Sequence, residues 1–226
     1  MAAKLSVVAT PIGNLEDITL RALRILKEVD VVACEDTRVT KKLLSHYDIH
    51  VPTVSFHANS GKAGFDKIVK LLAEGKSVAL VSDAGTPGVS DPGLELVSVV
   101  RSGLPDIKIE TIPGASSLTA ALAVAGLRAP SFVFYGFLPQ KKGRETLFKE
   151  IASQERASIF LESPHRIMKA LESLAKVAPL RRMGLYRELT KLFEEALIGT
   201  PQELLAKLEA DPNHQRGEFV VIVEGE

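Results

Sequence analysis

One cysteine, Cys34, in 226 residues removes two classes at once, because a single thiol can form neither an internal disulfide nor a cysteine-based metal site. Its place beside the apolar run Val31-Val32-Ala33 marks it as a buried structural thiol. Neither sign of charge is in excess. The 28 Lys plus Arg oppose 28 Asp plus Glu, which excludes a protein that grips nucleic acid with positive charge over its whole surface. A polyanionic partner must be met by a local patch. No apolar run reaches the ~18 residues that a membrane span requires. Met1-Ala2-Ala3-Lys4 leads straight into Leu5-Ser6-Val7-Val8-Ala9, too short and without the cleavage pattern of a signal peptide, so a cytoplasmic location is expected. Several motifs are missing too. The first strand is not followed by G-x-G-x-x-G, and neither G-x-x-x-x-G-K-[ST] nor G-x-S-x-G occurs. The spaced His and carboxylate ligands of a catalytic zinc are also lacking. Dinucleotide-binding, P-loop NTPase, α/β-hydrolase and metal-hydrolase readings fall away, and no metal is expected.

What remains is a chain of ordinary globular composition, 46% hydrophobic and 25% charged. Its length is enough to bury on the order of 70% of the unfolded surface. Short β-branched runs alternate with stretches of helical period, the pattern of βα units. Strands are predicted at Leu5–Thr10, Val31–Cys34, Thr53–Ser55, Val78–Ser82, Ile107–Ile112, Ser131–Tyr135, Ala157–Leu161, Gly184–Arg187, Phe193–Ile198 and Glu218–Val223. In the first helix, Asp17 reads as the cap, with Ile18, Leu23, Leu26 and Val29 on one face. The first half predicts a largely parallel, doubly wound sheet. In the second half, Leu189-Thr190-Lys191 leaves no room for a crossover helix, so the strands around it should be antiparallel and the sheet mixed. The Ala-rich helix Ser116–Gly126 marks the boundary, giving α/β domains over 1–115 and 116–226 with a ligand cleft expected at their junction.

Chemistry is expected in the loops past the strands. Thr10-Pro11-Ile12-Gly13-Asn14-Leu15 leaves the first strand as a Pro-Gly turn. Ser82 to Gly93 is long for a βα loop, and its three glycines allow a ligand to approach the backbone closely. Within it, Asp91-Pro92 reads as a helix cap with Pro at the first helical position. Pro113-Gly114-Ala115-Ser116-Ser117 offers accessible amides and a capping hydroxyl. In Glu35-Asp36-Thr37-Arg38 and Glu162-Ser163-Pro164-His165-Arg166, an arginine falls in a helix's first turn, where the macrodipole disfavours cations. A carboxylate such as Glu35 or Glu162 must compensate, or else an anionic ligand such as RNA phosphate. His57 and His165 are loop histidines able to accept a proton. Basic residues gather at Lys141-Lys142-Gly143-Arg144 and at Arg181-Arg182, either as solvated ends or as contacts to RNA.

The ordered motifs T-P-I-G-N-L, E-D-T-R, S-D-A-G-T-P, P-G-A-S-S, G-F-L-P, E-S-P-H-R, R-E-L-T-K and G-E-F-V-V-I-V-E-G, spread over the whole chain, resemble the ribosomal RNA branch of the tetrapyrrole methylase superfamily. The resemblance implies an S-adenosylmethionine-dependent methyl transfer to the ribose 2′-hydroxyl of a cytidine in the decoding region of small-subunit (16S) rRNA. It also implies two α/β domains with the cofactor in the cleft between them, and a homodimer. By resemblance, Pro11, Thr86, Val89, Ala115, Ser116, Leu161, Glu188 and Gly217 would meet the cofactor. A base for the hydroxyl would come from Glu35, Asp36, His165 or Glu188, unless positioning suffices and the proton leaves to water. RNA would be met by Arg38, Lys141, Lys142, Arg144 and Arg166. Two departures stand out. Thr86 replaces the Asp common in the tetrapyrrole branch, and the sequence ends at Glu226 without the helical extension of many relatives. The competing expectations are a tetrapyrrole C-methyltransferase, acting on a uroporphyrinogen or precorrin, and a non-catalytic cofactor-binding protein.

Overall fold

The computed structural model describes residues 3–56 and 61–226. Two compact units divide the chain, Met1–Ser116 and Ser117–Glu226. Among the described residues, no helix is long and apolar enough to cross a membrane.

In the first unit, β1 (Lys4–Val8), β2 (Val31–Cys34), β3 (Thr53–Ser55), β4 (Val78–Leu80) and β5 (Lys108–Ile112) form a parallel sheet in the order β3-β2-β4-β1-β5. Both faces are covered, which is why β2 and β4 read as unbroken apolar runs. Period-two alternation then sorts the side chains. Val8, Val32, Cys34 and Ala79 pack with Ala22, Ile25 and Leu26 of α1 (Leu20–Glu28) and Leu44 of α2 (Thr37–His46). Leu5, Ala33, Val54 and Leu80 take the other face, with Ile68 and Leu72 of α3 (Gly61–Ala73) and Leu96 and Val100 of α4 (Gly93–Gly103). Cys34 is a free, fully buried thiol whose pKa is pushed up by that burial. The cap of α1 differs from the sequence expectation. Leu15–Asp17 turns as a short 3₁₀ segment, and Thr19 accepts the Ala22 N–H to start the α-helix.

The second unit opens with α5 (Ser117–Val124), followed by Gly126 in a left-handed conformation. Its sheet runs β6-β7-β10-β8-β9, comprising β6 (Phe132–Phe137), β7 (Ala157–Glu162), β10 (Phe219–Val223), β8 (Met183–Arg187) and β9 (Glu195–Gly199). Only β6 and β7 are parallel, while β8 and β9 form the antiparallel pair that their short connection requires. One face packs under α6 (Arg144–Ala152), α7 (Ile167–Val177) and α8 (Pro201–Ala210), around Phe148, Phe160, Leu171, Leu185, Leu204 and Val221. On the other face, the fully buried Tyr186 donates to the Ala125 carbonyl at 2.7 Å. Burial pushes this phenol up to about 12. Gly184 leaves the space for it, since a Cβ there would fall on the Tyr186 ring.

β6 carries a bulge. Phe134 pairs with Ile159 and Phe137 with Leu161, so three steps on β6 match two on β7, and Gly136 takes a φ of +63°. The extra residue inverts the alternation. Tyr135 and Leu138 both reach the helix-covered core, and Phe137 points to the opposite face.

Candidate functional site

In the first unit, the sheet order creates a topological switch point. From β1 the chain passes over β4 to reach β2, and from β4 it passes β1 in the opposite direction to reach β5. The β1 and β4 connections therefore cross, and the pair that diverges is β4 and its other neighbour β2, whose connection runs outward to β3. The ligand-binding point of an open α/β sheet thus lies at the C-terminal ends of β2 and β4, with the end of β1 alongside. The loops at this point are locked together. Thr10 and Gly85 exchange backbone hydrogen bonds of 2.9 and 3.0 Å, and the Thr10 hydroxyl donates to the Ser82 carbonyl at 3.1 Å. The Thr86 hydroxyl donates to the Ala115 carbonyl at 3.1 Å, tying the β4 loop to the β5 loop. An aspartate at position 86 would be an acceptor facing an acceptor when ionised. Asp91 closes the far side by accepting the Gly88 N–H at 2.8 Å and the Gly93 N–H at 2.7 Å. α4 starts at Gly93, so Pro92 precedes the helix and does not open it. Gly85 and Gly88 hold φ values of +83° and +88°, which few other residues tolerate. Pro11, Thr86, Val89, Ala115 and Ser116 all lie on these loops.

Carboxylates crowd the neighbouring end of β2. Asp83 accepts the Asp36 N–H at 3.0 Å. Partial burial, followed by the charges of Asp91 and Asp83, pushes the Glu35 carboxyl above the ordinary glutamate value. Asp36 moves the other way, to about 2, because the Arg38 guanidinium and N–H bind it. It also caps α2. Arg38 is thus compensated by Asp36, not by Glu35, and its side chain remains at the surface.

In the second unit, the pairing places the ends of β6, β7 and β8 and the start of β10 at one edge of the sheet, with Phe219 opposite both Glu162 and Arg187. Leu161, Glu188 and Gly217 are found there. Glu188 has a φ of +51°, and its carboxylate accepts from Lys191 Nζ at 2.9 Å and from the Glu218 N–H at 3.1 Å. Burial pulls its pKa upward, but Lys191, the Glu218 N–H and Arg187 together hold it below the ordinary value. A Cβ on Gly217 would fall on the Glu188 side chain, so the two positions are in contact.

The arginine expectations need one correction. Glu162 is fully buried and bridges two guanidiniums, Arg144 Nη2 at 2.7 Å and Arg166 Nε at 2.8 Å. Arg144 also donates to the Pro139 carbonyl and lies over the Phe148 ring, while Arg166 donates to the Leu138 carbonyl. With only 10% of its side chain exposed, Arg144 acts as an internal brace, which leaves little of the guanidinium for the RNA contact expected from the sequence. Arg166 is largely spent in the same way. Lys141, Lys142 and His165 remain exposed, and His57 lies outside the described residues. Sequence reasoning placed Thr10 and Asp83 in candidate ligand loops without giving either a role of its own, and it missed the Arg144 to Glu162 link, which joins residues too far apart for any local spacing to reveal.

Comparison with known proteins fits this layout. Residues 4–205 match the family model for Tetrapyrrole (Corrin/Porphyrin) Methylases. The chain is 47% identical over 223 residues to ribosomal RNA small subunit methyltransferase I of Halalkalibacterium halodurans, covering 98% of this chain and 75% of the relative. It is 43% identical to the protein of the same name from Thermotoga maritima, covering 98% of each. The chain belongs to the ribosomal RNA small subunit methyltransferase I family. Within the wider tetrapyrrole methylase fold, it superimposes with a TM-score of 0.66 on uroporphyrin-III C-methyltransferase of Thermus thermophilus, solved with S-adenyl homocysteine, at 20% identity and covering 98% of this chain and 97% of that one. The tetrapyrrole methylase match takes in every candidate residue described above except Gly217 and Glu218.

Proposed function

We propose that this chain transfers a methyl group from S-adenosylmethionine to the ribose 2′-hydroxyl of a cytidine in the decoding region of 16S rRNA, acting as a homodimer on the small ribosomal subunit. The observation that carries this reading is the 43–47% identity, over nearly the whole chain, to relatives named ribosomal RNA small subunit methyltransferase I. The switch-point loops suit the cofactor. They present backbone groups and small side chains, and the carboxylates of Glu35, Asp83 and Asp91 nearby outnumber cations, which favours a ligand with a sulfonium. When bound, S-adenosylmethionine supplies an activated methyl group. The protein's share is alignment and proton management.

Of the four candidate bases, Glu35 has the most suitable environment. Asp36 is bound by Arg38 and Glu188 by Lys191, both with weakened proton affinity, whereas the proton affinity of Glu35 is raised. We assign the proton of the acceptor hydroxyl to its carboxylate.

Tritiated S-adenosylmethionine, incubated with undermethylated small subunits and separately with uroporphyrinogen, tests the function. Label is expected in 16S rRNA ribose. Label in the pigment alone would replace this reading with the tetrapyrrole one, and cofactor binding without any transfer would indicate a non-catalytic protein.

The Thr10 to Gly85 bridge gives a second expectation. In G85A, the new Cβ would sit 3.3 Å from Ile12 Cγ2 on a left-handed backbone, a strain of about 2 kcal/mol. The loop relaxes away, and binding must restore it, so calorimetry should show S-adenosylmethionine affinity about thirtyfold lower. Unchanged affinity would take this bridge out of the cofactor site.

A further inference from the structure

Phe137 is 56% exposed although it closes a strand whose core face could have buried it. Left to regular alternation, the position two after Tyr135 would face the helix-packed core, but the bulge at Gly136 turns it to the opposite face, where it stands in solvent. A large apolar side chain is thus held in solvent at a cost in burial. Its support is rigid. Arg166 donates to the Leu138 carbonyl and Arg144 to the Pro139 carbonyl, both at 3.1 to 3.2 Å, so the backbone just after Phe137 is clamped by the Glu162 network. Across β7, Phe137 is in register with Leu161, placing their side chains side by side on one face. Lys141 and Lys142 follow on the same loop, exposed and outside any ion pair among the described residues.

An exposed aromatic on a braced backbone, with free ammonium groups a few residues on, is what an unpaired nucleotide needs: a π face for the base and charge for its phosphates. We propose that Phe137 is the stacking platform for an unpaired base of the RNA substrate, with Lys141 and Lys142 holding the adjoining phosphates. The lysine pair favours a polyanion over a second copy of this neutral chain. The inference rests on the rRNA reading above and adds the residues that would hold the unpaired nucleotide in place.

The test compares wild type, F137L and F137W in steady-state methyl transfer to undermethylated small subunits, with S-adenosylmethionine titration and sedimentation velocity on each. F137L should raise KM for the subunit about tenfold, while F137W stays within about twofold, because stacking needs a ring and packing needs only volume. Cofactor affinity and sedimentation should not change in either variant. The proposal is overturned if F137L matches wild type, if F137W is as impaired as F137L, or if F137L alters the association state, which would make the residue a contact between copies. Wild type that labels no rRNA would remove the rRNA reading, and this platform with it. An active wild type with an F137L of unchanged KM would remove the platform alone.

Discussion

Replacing Glu35 with glutamine is expected to lower the single-turnover rate of methyl transfer about a hundredfold without lowering the melting temperature. The two halves of this expectation come from one cause. Burial and the charges of Asp91 and Asp83 make the Glu35 carboxylate hold a proton more tightly than a free glutamate does. In the folded chain this carboxyl pKa is raised above its unfolded value, so stability is greatest below the ordinary glutamate range and is lost as pH rises through the raised value. Glutamine removes that loss, and E35Q should melt no lower than wild type at neutral pH. The rate depends on pH with the opposite sign. Only the ionised carboxylate can accept a proton, so single-turnover rates should climb as pH passes through the raised pKa, and E35Q should lack that limb. Asp36 provides the contrast, because its depressed pKa of about 2 leaves it ionised and weakly basic across the working range. A rate within about tenfold of wild type would exclude Glu35 as the base.

The largest effect on stability should come from Glu162. Removing this carboxylate in E162A leaves the Arg144 guanidinium buried without its counter-charge, and breaking a buried pair from one side costs about 3–5 kcal/mol. For a chain of this size, that is a fall of about 10 °C in Tm, measurable by differential scanning calorimetry. Stacking of Arg144 on Phe148 offsets little, since it leaves the charge uncompensated. Replacing Glu162 and Arg144 together with apolar residues of similar volume should recover most of the loss. If E162A melts within about 2 °C of wild type, water reaches the network and its burial has no energetic consequence.

Some of this was legible in the chain itself. The parallel and mixed sheets followed from βα alternation and from the short Leu189 to Lys191 connection, because the room needed for a crossover helix is a count along the sequence. The motif resemblance led to the family for a similar reason, since eight motifs in order carry more information than any one. The arginine anomaly at position 166 was also readable, because a cation at a helix N-terminus needs a local anion and Glu162 is four residues away. Other features depend on register and sheet order. Arg144 reaches Glu162 only because β6 and β7 are neighbours, and Asp83 meets Asp36 only because β2 lies beside β4. The cap of α1 moved from Asp17 to Thr19 because the chain spends three residues in a tighter turn first, with Asn14 capping that turn and Thr19 capping the helix.

The single-residue bulge at Gly136 separates what a position contains from where it points. Pairing this stretch regularly at the same length would exchange the roles of Phe137 and Leu138, sending the ring inward and the leucine into water, with no change in either amino acid, whereas deleting the extra residue would leave both where they are. Relatives of equal length that lack the bulge would therefore present different surfaces to their substrates, even where every motif letter is shared. In this unit, selectivity can diverge by a shift of backbone register as readily as by substitution, and an alignment scored on identity alone would not register it.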